Sequence, residues 1–224
     1  MTSNPSELVI AIDFGTTFSG VAFAHTGVVS VADRNVTRVA ESVEVVKNWP
    51  HPNHQYAEKT PTIIAYTNPP TWGGSVKPQH KPQVAKFKLG LEAKVAEHFK
   101  DRSTYGFHRD LPRKTAVDFT ADYLKCLLKF VQENVLPRRF GEQFLLHQQL
   151  SYVVTVPAIW TDLAKHLTKE AALRAGVRGS DKLVLLSEPE AAALYCATAC
   201  EEVDLKDGDF FLVCDAGGGT VVGP

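Results

Sequence analysis

No long run of one charge sign occurs in this chain: 24 lysines and arginines stand against 25 aspartates and glutamates, for a formal net charge of −1. That balance excludes the basic footprint a nucleic-acid partner demands. No apolar stretch approaches the roughly 20 residues of a membrane span, and the opening MTSNPSELV has neither a basic segment nor a long apolar one. No membrane partner is expected, and a cytoplasmic location follows. The four cysteines, Cys126, Cys196, Cys200 and Cys214, form no CxxC pair and have no histidine at metal-ligand spacing. This argues against zinc and for reduced thiols acting as small buried hydrophobes. His51 and His54, in HPNH, lack acidic or thiol companions and read as surface histidines. Missing too are the common phosphate signatures: there is no GxxxxGK[ST] and no GxGxxG opening a helix behind a strand.

What remains is an ordinary globular composition, 44% hydrophobic and 22% charged over 224 residues, enough to bury one large core or two modest ones. Residues 8–12 and 21–24 read as buried strands joined by a hairpin with its tip at Asp13 to Ser19, and a more polar third strand is expected through GVVSVAD. From Asn48 to Pro82 the composition shifts. Seven of the thirteen prolines fall between Pro50 and Pro82, with Gly73-Gly74 and no helical period, which predicts an irregular inserted segment crossed by the strand-like TPTIIAYT.

Helices follow. Phe119, Tyr123, Leu127, Val131 and Val135 recur at i+4 steps behind a Thr115/Asp118 capping box, predicting one long amphipathic helix. SYVVTVPAIW suits a strand covered on both faces and stops at Pro157. A helix capped by Thr161 and closed by Gly176 comes next, then the strand KLVLL, then a helix with Ser187 as N-cap, Pro189 in its first turn and Glu190 closing the box. The alternation predicts an α/β fold with a mixed sheet.

One device appears twice. VIAIDFGTTFSGVAF and FLVCDAGGGTVVG both run apolar strand, aspartate, any residue, glycine, a small-residue turn with threonine, then valines. Glycines at such a turn let backbone N–H groups converge without a Cβ in the way, and the hydroxyls of Thr16, Thr17 and Thr220 add donors, a combination suited to phosphate. Each aspartate, at a strand end beside that anion, is placed to hold a hydrated Mg²⁺, which takes few protein ligands. Two facing copies would grip a polyphosphate from both sides.

On these residues the chain resembles the ATPase domain of the seventy-kilodalton heat-shock chaperones, in the actin and sugar-kinase superfamily. The matching stretches are IAIDFGTTFSGVAF, TPTIIAYT, VVTVPAIWTDLAKHLTKEAALRAG, LLSEPEAAALY and LVCDAGGGT, in the family's order. WGGSVKP, FKLGL and EPEAAALY, the last in place of Glu-Pro-Thr-Ala-Ala-Ala, point to a divergent branch. The resemblance implies an actin-like, ribonuclease H-like fold that binds ATP or ADP with Mg²⁺ and hydrolyses ATP. By the same resemblance Asp13 and Asp215 hold the metal through water, and Gly15, Thr16, Thr17, Gly217, Gly218, Gly219 and Thr220 form the phosphate cradle. Glu188 positions or deprotonates the attacking water, and a lysine, Lys88 or else Lys86, reaches the terminal phosphate.

The implied division is a first-lobe sheet with hairpin 1 at 1–40, an inserted subdomain at 41–114, first-lobe helices and strands at 115–204, and the start of a second lobe at 205–224. The rest of that second lobe, with the adenosine pocket, is expected to be missing from these residues, so the apolar run DFFLVCDAGGG is expected to pack poorly and activity to suffer. Unfolded-protein clients or co-chaperones are implied only for a longer form. Two other readings stand beside the ATPase: a sugar-kinase-type phosphotransferase, against which the Glu-Pro pair of SEPEAAA weighs, and a non-catalytic fragment or interaction module.

Overall fold

The computed structural model describes residues 7–28, 38–53, 56–93, 114–146, 148–199, 208, 210, 212–216 and 221–222. Its centre is a mixed sheet. Strand β1 (Glu7–Phe14) turns into β2 (Phe18–Val28), which pairs with β3 (Arg38–Val45) on its far side; β8 (Gln149–Val156) and β9 (Leu183–Ser187) extend the sheet from β1 in the order β3-β2-β1-β8-β9. The β1/β2 and β2/β3 pairs are antiparallel, while β1/β8 and β8/β9 are parallel. Register places Ile12 beside Val154 and Val156 beside Ser187. The carboxyl ends of β1, β8 and β9 therefore open on one edge, where α/β proteins bind ligands. β1 is apolar almost throughout because it is central: Leu8, Ile10, Ile12 and Phe14 are fully buried.

The expected hairpin is present and longer than the sequence suggested, with Asp13 opposite Gly20 and Phe14 opposite Ser19. GVVSVAD fares differently: its first two residues finish β2, and the rest lies outside the described residues. TPTIIAYT divides at Thr62. Strand β4 (Thr60–Pro61) pairs with β2, whereas β5 (Ile63–Ala65) joins β6 (Thr71–Trp72) and β7 (Gln83–Ala85) in a separate three-stranded sheet, order β6-β5-β7. Besides the β4/β2 pairing, the proline-rich stretch is tied to the core by aromatics. Trp49 packs on Phe130 at 5.8 Å, Trp72 on Tyr123 at 6.1 Å, and Phe87 on Tyr123 at 5.6 Å between ring centroids. Burial pushes the Tyr123 phenol up to about 12.

Helix α1 (Ala116–Phe130) buries Phe119, Tyr123, Leu124, Leu127 and Leu128. It continues through a π turn, Val131–Val135, into α2 (Leu136–Phe140), with the Leu136 N–H reaching the Val131 carbonyl. The expected single helix thus carries a local change of pitch. Pro137, with no N–H to donate, removes one ordinary helical bond at this junction. Helix α3 (Asp162–Arg174) is capped as read, with the Thr161 hydroxyl accepting from the Ala164 N–H, and Gly176 beyond its end sits at φ +110°.

The α1 cap yields a pH-dependent prediction. Asp118 accepts from the Thr115 N–H at 2.8 Å and pairs with Arg174 of α3 at 2.8 Å. The Thr115 amide first, then its hydroxyl and the positive charge of Arg174, hold the Asp118 carboxyl below its usual value of 3.8. A depressed carboxyl stabilises the fold above its unfolded pKa, and that contribution is lost as pH falls through the lower folded value. Asp118→Ala is expected to cost about 1 kcal/mol at neutral pH. In urea unfolding the gap from wild type closes below pH 3.8, as the wild-type carboxyl takes up its proton.

Helix α4 (Glu188–Ala199) follows β9 directly, and Leu194 and Tyr195 on it are exposed. Cys196 and Cys214 are exposed and Cys126 is partly buried, which corrects the expectation of buried thiols; Cys200 lies outside the described residues. The apolar residues of EPEAAALYCATA are spread evenly around the helix, so its spacing offers no means of choosing an inward face. Strand β10 (Asp215–Ala216) pairs antiparallel with β11 (Val221–Val222), so the second hairpin has a return strand. Upstream, Phe210 and Leu212 are exposed. Among the described residues no helix is long and apolar enough to cross a membrane.

Candidate functional site

Three side chains meet where the parallel strands end. The Asp13 carboxylate, at the end of β1, accepts from the Thr155 hydroxyl of β8 at 3.0 Å, and that hydroxyl in turn accepts from the Phe14 N–H at 3.2 Å. One side chain thus fixes both the acid and the turn beside it. On its other oxygen Asp13 takes the Lys59 ammonium at 2.6 Å. The carboxylate remains 41% exposed, so one side of it faces solvent.

The loop from Gly15 to Thr17 is held from behind by Thr62. The Thr62 hydroxyl donates to the Gly15 carbonyl at 2.9 Å, the Thr62 N–H donates to the Thr17 carbonyl at 2.8 Å, and the Thr62 and Ser19 hydroxyls lie 2.8 Å apart. Gly15 has no room for a side chain, since a Cβ there would stand 2.1 Å from the Phe18 carbonyl oxygen. The cradle therefore admits glycine alone at that position.

Lys88 lies beneath. It rides on the 3₁₀ turn Phe87–Leu91 and is 2% exposed. Its ammonium donates to the Phe14 carbonyl at 2.5 Å and to Glu188 Oε1 at 2.5 Å, and the Phe14 and Trp160 rings each lie 5.4 Å from it. Two aromatic faces and two oxygens make a buried positive charge tolerable. Glu188 opens α4, where an acid is favoured by the helix N-terminus, and the Ser187 hydroxyl accepts from the Glu190 N–H at 3.3 Å as the capping pattern required. Glu92 completes the surround. Its carboxylate accepts from the Thr161 N–H at 3.1 Å and the Thr161 hydroxyl at 2.9 Å, which fixes the turn that carries Trp160.

The sequence-derived residues divide accordingly. Asp13, Gly15, Thr16, Thr17, Lys88 and Glu188 lie at one edge of the sheet, linked through Lys88 to Phe14, the residue after Asp13. Lys86, the alternative lysine, is exposed with φ +57° and is not the residue that meets Glu188. Asp215 begins β10, a strand that belongs to neither larger sheet, and Gly217, Gly218, Gly219 and Thr220 lie outside the described residues. His51 accepts from the Asn53 N–H, His54 is outside the described residues, and among the described residues no three His, Cys, Asp or Glu gather as a metal site.

Lys59, Thr62, Thr155 and Trp160 were not anticipated. Only Thr155 left a trace, as a polar residue between Val154 and Val156 near the end of β8.

The donor set fits a magnesium–polyphosphate group. Asp13 is a half-exposed carboxylate already engaged by a cation, Lys59, and the loop beside it is closed so tightly that a Cβ would fill it.

No protein-family model matches the chain. Among curated proteins it is 30% identical over 214 residues to Heat shock 70 kDa protein 12A of Homo sapiens, covering 87% of this chain and 30% of that protein. Against Heat shock 70 kDa protein 12B of Homo sapiens it is 30% identical over 222 residues, covering 85% and 28%. Against Chaperone protein DnaK of Thermosipho africanus (strain TCF52B) it is 29% identical over 226 residues, covering 97% and 30%. The chain spans under a third of the length of these relatives.

Proposed function

From the premise that this chain is a divergent heat-shock 70 kDa-like chain with an actin-like ATPase fold, we propose that it binds ATP with Mg²⁺ and hydrolyses it. One observation carries the reading: a single buried ammonium joins Glu188 to the backbone of the first acid-tipped hairpin. When bound, Mg²⁺ supplies charge neutralisation on the phosphates, with Asp13 and Asp215 as its water-mediated holders.

Gly15, Thr16 and Thr17, with Gly217, Gly218, Gly219 and Thr220 from the second hairpin, form the cradle. Glu188, held in one orientation by Lys88, orients the attacking water and accepts its proton. Lys88 adds a fixed positive charge beside the terminal phosphate, and Trp160 and Phe14 keep bulk water from it. The four-part division at residues 40, 114 and 204, a cytoplasmic location, and clients or co-chaperones for a longer form belong to this same proposal.

Isothermal titration with Mg-ATP, paired with phosphate-release assays, tests it. Saturable binding with turnover in water alone is expected. Turnover only on adding a hexose would point to the phosphotransferase reading, and no heat with no turnover would leave an interaction module.

A further inference from the structure

The Lys59–Asp13 pair has no part in holding the fold together. Both side chains are about half exposed, and an ion pair in that setting contributes little to stability. Yet its placement is built. β4 runs against β2 with Thr60 opposite Ser19 and Pro61 opposite Phe18, so Lys59 enters beside the hairpin at the level of Gly20. Gly20 is the cross-strand partner of Asp13, and a Cβ there would lie 3.4 Å from the Lys59 Cγ and 3.2 Å from the Glu58 carbonyl oxygen. The bare glycine lets the lysine stem cross the hairpin and set its ammonium on the carboxylate from the solvent side. The opposite oxygen is already held by Thr155, so the orientation of the pair is fixed at one end and free at the other.

We propose that Lys59 is a built-in counter-cation of Asp13, standing where a divalent ion would otherwise be needed and giving the site affinity for a nucleoside polyphosphate without metal. This rests on the nucleotide reading above and deepens it. Without Lys59, a tetra-anionic phosphate chain would meet an uncompensated carboxylate across a few ångströms. With Lys59 in place that repulsion is cancelled, and with a divalent ion at Asp13 the half-exposed ammonium turns out into solvent. The weakness of the exposed pair is what makes the exchange cheap.

The test is calorimetric titration of the full chain with ATP, once in excess EDTA and once in excess MgCl₂. Wild type, Lys59→Met, Lys59→Arg and the double variant Lys59→Met/Asp13→Asn are compared. In Lys59→Met the ratio of the EDTA to the Mg²⁺ dissociation constant is expected to rise about tenfold over wild type, the scale of one lost charge-assisted contact. Lys59→Arg keeps the wild-type ratio. The double variant, with both charges gone, recovers metal-free affinity. An unchanged ratio in Lys59→Met overturns the proposal, and so does a double variant as weak in EDTA as the single one. Were wild type to bind ATP in neither buffer, the nucleotide reading would fall and this inference with it. Binding by wild type with no change in the variants would remove this inference alone.

Discussion

Lys88→Met is expected to damage the chain twice, lowering its stability by about 3 kcal/mol and abolishing phosphate release. The methionine stem fills the space between the Phe14 and Trp160 rings, so packing is largely kept. What disappears is the cation: the Phe14 carbonyl and Glu188 Oε1, each 2.5 Å from the ammonium, lose their donor together. Removing one partner of a buried pair leaves an uncompensated charge, which costs far more than the pair's net worth. The Glu188 side chain is 16% exposed against 3% for Lys88, so water relieves part of the penalty and the cost falls at the lower end of that range.

Glu188→Gln removes the proton acceptor and the counter-charge while keeping a hydrogen-bond acceptor for Lys88. Turnover is lost, and because the buried Lys88 ammonium is left without its counter-charge, urea unfolding is expected to shift by about 3 kcal/mol. In a double-mutant cycle the two changes are expected to be strongly non-additive, since removing Lys88 costs least when the carboxylate is already gone. Equal and additive losses would mean that the pair does not act as a unit.

What the sequence revealed and what it hid follow a single physical rule, the range over which an interaction acts. The helix caps at Thr115, Thr161 and Ser187 are contacts between a residue and one three positions on, so four letters suffice to read them. The first hairpin is legible for the same reason, its register being fixed by a short turn between two apolar runs. Lys59 reaches Asp13 across 46 positions, Lys88 reaches Glu188 across 100, and Thr155 reaches Asp13 across 142. Nothing local marks such a pair.

Lys88 and Glu188 could be singled out only because both lie inside stretches that resemble a known family; Lys59, outside any such motif, looked like one more surface lysine. The division of TPTIIAYT between two sheets was hidden too, because its spacing reads equally well as one strand. The split is a tertiary effect, with Thr60 and Pro61 held by β2 and Ile63 to Ala65 by β6 and β7.

Gly15→Ala is expected to be the most harmful single-methyl change at the site. An added Cβ would stand 2.1 Å from the Phe18 carbonyl oxygen, well inside contact distance, and the obstacle is backbone. No rotamer can relieve it. Phe18 begins β2, and the pairing of Phe14 with Ser19 and Asp13 with Gly20 fixes where its carbonyl lies, so the turn must open or the register must give. Either movement pulls Gly15 and Thr17 off Thr62 and shifts Asp13 away from Thr155. The expected cost is about 3 kcal/mol in stability, the upper range for forced overpacking. Nucleotide affinity is expected to fall about a hundredfold, as displacements of an ångström at a binding loop do.

Gly20→Ala supplies the comparison, because there the added Cβ stands 3.2 Å from the Glu58 carbonyl oxygen and 3.4 Å from the Lys59 Cγ, so the strain to be relieved is a few tenths of an ångström rather than a full overlap. Its stability loss is expected to stay under about 1 kcal/mol, with the effect concentrated on metal-free nucleotide binding through Lys59. Thermal unfolding and calorimetric titration of both variants read the two outcomes side by side. A Gly15→Ala chain as stable as wild type would show that the hairpin tip is not the rigid cradle from which the nucleotide site is built.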